Sequence, residues 1–222
     1  MNSAVKLVIF DWDGTLFDSV GQIVASLQYA AEKFNQPLTE AAAKSIIGLG
    51  LPEVAQVLFP QVPELHPDIL QAYAEHYVEN SVGDMWFDGV AEMLAALKKT
   101  GVLLAVATGK SRKGLDRVLK QTQSEDLFIA TRAASETKSK PDPLMLAEIL
   151  QQTGVKASEA IMVGDTSYDL EMAQNIHMPR IGVGYGVHTH DTLARYTPIA
   201  IADHVQMLHD ILLQNIQQRA VI

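Results

Sequence analysis

Leu7-Val8-Ile9-Phe10-Asp11-Trp12-Asp13-Gly14-Thr15-Leu16 runs an apolar stretch straight into two carboxylates spaced two residues apart. The apolar run reads as a buried strand, and in extended chain residues i and i+2 face the same side. Asp11 and Asp13 therefore share one small volume at the strand end, where like charges repel unless a proton or a cation intervenes. A divalent metal is the simplest remedy. The arrangement suits phosphoryl chemistry better than packing.

Outward from this segment, short strands alternate with helical patterns, the signature of an α/β fold with a parallel sheet and crossover helices. Strands are predicted over 5–10, 102–107, 127–131, 160–163, 180–184 and 199–202, with helices near 88–100, 111–121, 142–153, 167–175 and 203–218. Asp88 is placed to cap the first of these helices and Pro143 sits near a first turn, while Gly101 and Gly154 fit helix stops. Residues 17–87 break the alternation, because no convincing strand appears in them. Helices are predicted there over 18–35, 39–47, 52–59 and 67–80, with Thr39 and Gly48 bounding the second and Pro52 and Pro67 at first helical positions. An all-helical insert directly after a carboxylate-bearing strand end is well placed to act as a lid. The expected division is a core of residues 1–16 and 84–222 and a helical cap of 17–83, with joints near 16–18 and 82–87, where Gly83 supplies flexibility.

With 222 residues, 48% of them hydrophobic, the chain can bury a substantial core. The formal net charge of −9 and the lack of a basic stripe argue against a nucleic-acid surface. Cysteine is absent, so disulfides and thiolate chemistry are excluded. The first residues carry one lysine and a short apolar run before the first aspartate, too little for a signal peptide, and no stretch approaches the roughly 20 apolar residues of a membrane span. A cytoplasmic protein is expected.

Three later segments repeat the pattern of polar groups at strand ends. Thr108-Gly109-Lys110-Ser111 follows an apolar strand with a hydroxyl and backbone N–H groups opening a helix, which is either an anion site or simple capping. Lys138-Ser139-Lys140-Pro141-Asp142-Pro143 holds the chain extended and presents a lysine at a fixed place, although a lone lysine is ordinarily a surface residue. Ile161-Met162-Val163-Gly164-Asp165-Thr166-Ser167-Tyr168-Asp169 again sets carboxylates just past a strand. Asp165 is a hard oxygen donor suited to magnesium, unless it merely caps the following helix.

Taken together and in order, these four segments resemble the signatures of the haloacid dehalogenase superfamily, over almost the whole chain. The resemblance implies a Rossmann-like core with the first strand central and the fourth beside it, and a four-helix cap over 17–83. It implies Asp11 as nucleophile forming an aspartyl-phosphate, Asp13 as general acid and base, and Mg2+ held by Asp11, the Asp13 carbonyl and Asp165. Thr108, Gly109 and Lys140 would bind phosphate, Lys140 also neutralising the nucleophile. Gly14 would let the chain turn close to the phosphate, Thr15 would orient the Asp13 side chain, and Asp169 would act through water or by orienting Lys140. A second aspartate argues against dehalogenation, since a halide leaving group needs no protonation. A phosphonatase would require a Schiff-base lysine from the cap, and neither Lys33 nor Lys44 sits in a matching motif.

The expected activity is hydrolysis of a small phosphorylated metabolite, because Gly48-Leu49-Gly50-Leu51-Pro52 resembles the cap loop of phosphoglycolate phosphatases. The alternatives are a phosphosugar mutase of the β-phosphoglucomutase type, a pyrophosphatase or nucleotidase, and a phosphate-binding protein without turnover. Sugar-phosphate mutases are expected to carry an arginine after that loop glycine, whereas residues 17–87 contain none. A second anionic end on the substrate would have to find its cation elsewhere. His188 and His190 lack cysteine partners and read as loop residues rather than a zinc site. Trp12, Trp86 and Phe87 are candidates for the cleft or the core, and Lys110 and Arg112 lie near the expected phosphate site.

Overall fold

In the computed structural model, which describes residues 5–81 and 85–217, six parallel strands form one sheet in the order β3-β2-β1-β4-β5-β6. They are β1 (Leu7–Phe10), β2 (Leu103–Thr108), β3 (Ala130–Ala133), β4 (Ala160–Gly164), β5 (Arg180–Val183) and β6 (Ala200–Ala202). β1 pairs with β2 on one side and β4 on the other, Ile9 lying opposite Ala105 and Met162. A parallel sheet covered on both faces needs strands apolar on both faces, which is why β1 is an unbroken apolar run. Val8 and Phe10 pack with Leu94, Leu97, Leu208 and Leu212 of α5 (Val90–Lys99) and α10 (Val205–Gln217). Leu7 and Ile9 face the opposite cluster, with Leu146, Ile149 and Met172 of α7 (Leu144–Thr153) and α8 (Ser167–Gln174).

Between β1 and α5 the described residues form α1 (Val20–Lys33), α2 (Glu40–Ser45), α3 (Leu51–Leu58) and α4 (His66–Glu79). These helices bury their own apolar faces against one another, Ile23, Leu27, Ile47 and Tyr77 in one cluster and Ala30, Phe59 and Ile69 in the next. The chain leaves and rejoins the sheet side by side. Asp18 donates its N–H to the Met85 carbonyl at 2.7 Å, Phe87 donates to Leu16 at 3.1 Å, and Phe17 and Trp86 bridge as antiparallel neighbours. Trp12 is fully buried beneath this crossing, with Phe17, Trp86 and Phe128 around its ring, so it belongs to the core.

Several expected details differ. Gly89, not Asp88, caps α5, at φ 84°, a left-handed conformation that glycine alone adopts without steric cost. Pro52 and Pro67 are second rather than first in their helices, where a missing N–H is still harmless because first-turn donors have no helical partner. β3 starts later than expected, since Glu125–Leu127 closes a 3-10 turn. The short helix α9 (His190–Ala194), capped by the Thr189 hydroxyl, falls where a loop was expected. Gly83 lies outside the described residues. None of the described helices is long and apolar enough to cross a membrane.

Leu94 is wholly buried between α5 and the sheet, so Leu94→Ala should lower stability by about 2–5 kcal/mol through lost burial and a residual cavity. Urea unfolding with an unchanged slope is the check.

Candidate active site

In a parallel sheet all strands release their loops at the same edge, and ligands gather where adjacent connections diverge. Here β1 lies between β2 and β4, so Asp11 emerges between the loops that carry Thr108 and Asp165. The Asp11 N–H still donates to Val163 at 2.9 Å, which fixes the first carboxylate to the neighbouring strand. Asp11, Asp165 and Asp169 are buried and present carboxylate oxygens all within 4.8 Å of one another. Lys140 Nζ, also buried, lies 2.7 Å from Asp11 Oδ1 and 2.6 Å from Asp169 Oδ1. Three carboxylates thus meet one ammonium.

The charge imbalance appears in the protonation equilibria. Burial pushes the Asp11 carboxyl well above its ordinary range; the Lys140 charge opposes this, and Asp169 and Asp165 reinforce it. Asp165 is raised to about 7 by burial and then by the Asp169 charge, against the pull of hydrogen bonds from Val187 and Thr15. Burial alone would lower the Lys140 ammonium, but the carboxylates of Asp11 and Asp169 outweigh it and raise the pKa above that of a free lysine.

Each carboxylate is held differently. Asp165 accepts from the Thr15 hydroxyl on Oδ1 and from the Val187 N–H on Oδ2, both at 2.9 Å. Thr15 therefore positions Asp165 and not Asp13, because its hydroxyl reaches across to the β4 loop. Gly14, at φ 78°, has no room for a side chain: a Cβ would sit 2.3 Å from Asp165 Oδ2. Asp169 spends Oδ2 on a capping box, accepting from the Thr166 N–H at 3.1 Å and hydroxyl at 2.7 Å, and gives Oδ1 to Lys140. Neither Asp11 oxygen receives a well-aligned hydrogen bond, despite the nearby Lys140.

Asp13 stands apart from this cluster. Its Oδ1 accepts from the Ser19 hydroxyl at 2.5 Å and pairs with Lys110 Nζ at 2.8 Å. Lys110 also donates to the Tyr77 hydroxyl of α4 at 3.4 Å. Ser19 was not among the expected site residues, since the helix expected over 18–35 would enclose it; α1 starts at Val20, and the Ser19 hydroxyl makes no capping bond and turns to Asp13. Thr108 is buried at the end of β2, with its hydroxyl accepting from the Lys110 N–H at 3.2 Å. The next residue, Gly109, is pressed by the loop after α2, since a Cβ there would lie 2.6 Å from the carbonyl oxygens of Gly48 and Leu49. That loop also touches the lysine segment, Gly50 donating its N–H to the Ser139 hydroxyl at 2.8 Å. His188 accepts from the Ser167 N–H at 2.8 Å, and His190 pairs with Asp203.

A cleft of about 740 Å³ opens from Asp11 and Asp13 toward α1, α4 and α6 (Arg112–Gln121). A sequence profile described as haloacid dehalogenase-like hydrolase matches residues 8–183. The chain belongs to this hydrolase family. Among its relatives is an N-acetylmuramic acid 6-phosphate phosphatase of Pseudomonas aeruginosa, 29% identical over 94% of this chain and 95% of the relative. A phosphoglycolate phosphatase of Mesorhizobium japonicum is 30% identical over 91% of this chain and 92% of that protein. The crystal structure of a hydrolase from Pseudomonas syringae superposes with a TM-score of 0.86 at 23% identity, covering 94% of this chain and 98% of that one, and shares the fold.

The donor set of this haloacid dehalogenase-like hydrolase fits a hard divalent cation. All three donors are carboxylate oxygens, which suit magnesium, calcium or manganese over softer metals. Asp11 is the freest of the three donors, since neither of its oxygens receives a well-aligned hydrogen bond, whereas both oxygens of Asp165 and of Asp169 are already engaged. With Lys140→Met the three buried carboxylates lose their ammonium, and stability should fall by about 3–5 kcal/mol. Thermal unfolding should recover part of that loss when millimolar magnesium is added, because a cation then replaces the missing charge.

Proposed function

We propose that this hydrolase is a Mg2+-dependent phosphatase that cleaves a small phosphorylated metabolite through an aspartyl-phosphate. The observation that carries the reading is the meeting of Asp11, Asp165, Asp169 and Lys140 at one strand edge, with Asp13 beside them at the mouth of the cleft. An Asp11 oxygen attacks phosphorus, and the bond from phosphorus to the ester oxygen breaks. Asp13 gives its proton to that oxygen; Ser19 and Lys110 both engage Oδ1, which leaves the second oxygen for the transfer. The resulting Asp13 carboxylate then takes a proton from water as the water oxygen attacks phosphorus and releases Asp11.

Lys140 and the N–H groups after Thr108 balance the charge of the phosphate oxygens. Magnesium, held by Asp11, Asp165 and the Asp13 carbonyl, would supply the further positive charge needed between a carboxylate and a phosphate dianion. The helices of 17–83 serve as a cap over the cleft, and the contacts of Gly48–Gly50 with Gly109 and Ser139 tie their placement to the phosphate-binding loops. Phosphoglycolate and related phosphorylated acids are the favoured substrate class, given the substrates named for the two relatives. The absence of arginine from 17–87 weighs against a mutase that grips a second phosphate from its cap.

Asp11→Asn should reduce phosphate release from 4-nitrophenyl phosphate by at least about a thousandfold, and EDTA should do the same reversibly, with magnesium restoring activity. Activity surviving either treatment would sink the mechanism. Asp13→Asn should slow alkyl phosphates by roughly a hundredfold to ten-thousandfold, and 4-nitrophenyl phosphate by less, since nitrophenolate leaves without protonation. Equal losses on both substrates would remove Asp13 from the acid role.

A further inference from the structure

Besides Lys110, two cationic groups line the cleft that the chemistry at Asp11 does not use: Lys113, which is exposed, and Arg117. Arg117 of α6 lines it, half-buried, with its guanidinium carbon 5.2 Å from the centre of the Tyr77 ring. Lys110 Nζ sits 5.0 Å from the same ring centre but is committed to Asp13 at 2.8 Å. Arg117 has no such commitment. It makes one long bond to the Ser81 hydroxyl at 3.3 Å, and its Nε is buried without a hydrogen-bond partner. Glu75 and Glu79 line the same cleft, yet no ion pair joins Arg117 to an acidic side chain among the described residues. A guanidinium with a desolvated, unpaired N–H is costly unless an acceptor completes it, and a planar carboxylate matches its fork of donors.

Order along the cleft gives the ligand its shape. Asp13, Lys110, Tyr77 and Arg117 follow one another by direct contact. Ile23, Leu27, Ile47, Leu49 and Val54 add apolar lining to the same cleft. A volume of about 740 Å³ is more than a two-carbon ester fills and lies within the roughly 300–1,000 Å³ of small-molecule clefts.

We propose that Arg117 is a distal anion site that selects phosphomonoesters carrying a carboxylate at the end opposite the phosphate, on a body of sugar size. The proposal rests on the phosphatase reading and names the part of the substrate which that reading leaves open. The inserted helices lack an arginine, and α6 of the sheet domain supplies it.

The test compares N-acetylmuramic acid 6-phosphate with N-acetylglucosamine 6-phosphate, which share a ring and differ by a carboxylate-bearing ether. The wild-type protein should prefer the acid by at least tenfold in kcat/KM. Arg117→Gln should bring that ratio to within about twofold of unity, chiefly through KM, and Arg117→Lys should keep part of it. Calorimetric binding of the two esters to wild-type and Arg117→Gln protein reads the same site without turnover. If no ester is hydrolysed but the acid still binds more tightly than its neutral partner through Arg117, the phosphatase reading fails and the anion site stands. A ratio unchanged in Arg117→Gln, or an equal loss on both esters, overturns the proposal.

Discussion

Burying three carboxylates against one another is unfavourable, and nearly every local feature of the strand edge answers that single electrostatic constraint. Lys140 is drawn fully into the interior because two of the carboxylates hold it there. Thr15, the Val187 N–H and the Thr166 hydroxyl each supply one donor to an oxygen that water cannot reach. The backbone gives way as well: a Cβ on Gly164 would lie 2.3 Å from Asp169 Cβ, and one on Gly186 would lie 2.2 Å from Asp165 Cβ. Even so, the single lysine leaves the cluster negative, and Asp11 and Asp165 hold protons more tightly than free carboxylic acids do.

The two aspartates of the opening motif, though two residues apart, are each served by a different lysine. Asp11 shares the buried Lys140 with Asp169, whereas Asp13 meets Lys110 at the cleft wall with Ser19 on the same oxygen. Two residues of chain account for their closeness, and the bend at Trp12 between them accounts for their separation. Both line the cleft, but Asp11 is 1% exposed and Asp13 8%, so the second carboxylate is the more open of the two.

β1, β2 and β4 were legible because each is an apolar run closed by turn residues, as a two-faced buried strand tolerates little else, whereas edge strand β3 carries Thr131 and Arg132 and starts later than expected. The order of the four polar segments was legible for the same reason, since each follows a strand. Contacts formed through space were not. Nothing near Thr15 in sequence distinguishes Asp13 from Asp165 as its partner, and the helix expected over 18–35 encloses Ser19, whose hydroxyl serves a carboxylate. Asp88 looked like a cap by residue type, but the chain there needs a left-handed turn, and Gly89 supplies it. α9 was missed because a single turn of helix has too few residues to show a period.

The side-by-side crossing at Leu16–Asp18 and Met85–Phe87 has a consequence for how such a chain varies. A segment whose ends are one strand spacing apart, about 5 Å, can be lengthened, shortened or exchanged at small cost in loop-closure entropy. The sheet sees the same two anchored ends whatever lies between them. The helices between those ends can therefore change in length or packing while the strand ends carrying Asp11, Thr108 and Asp165 keep their places.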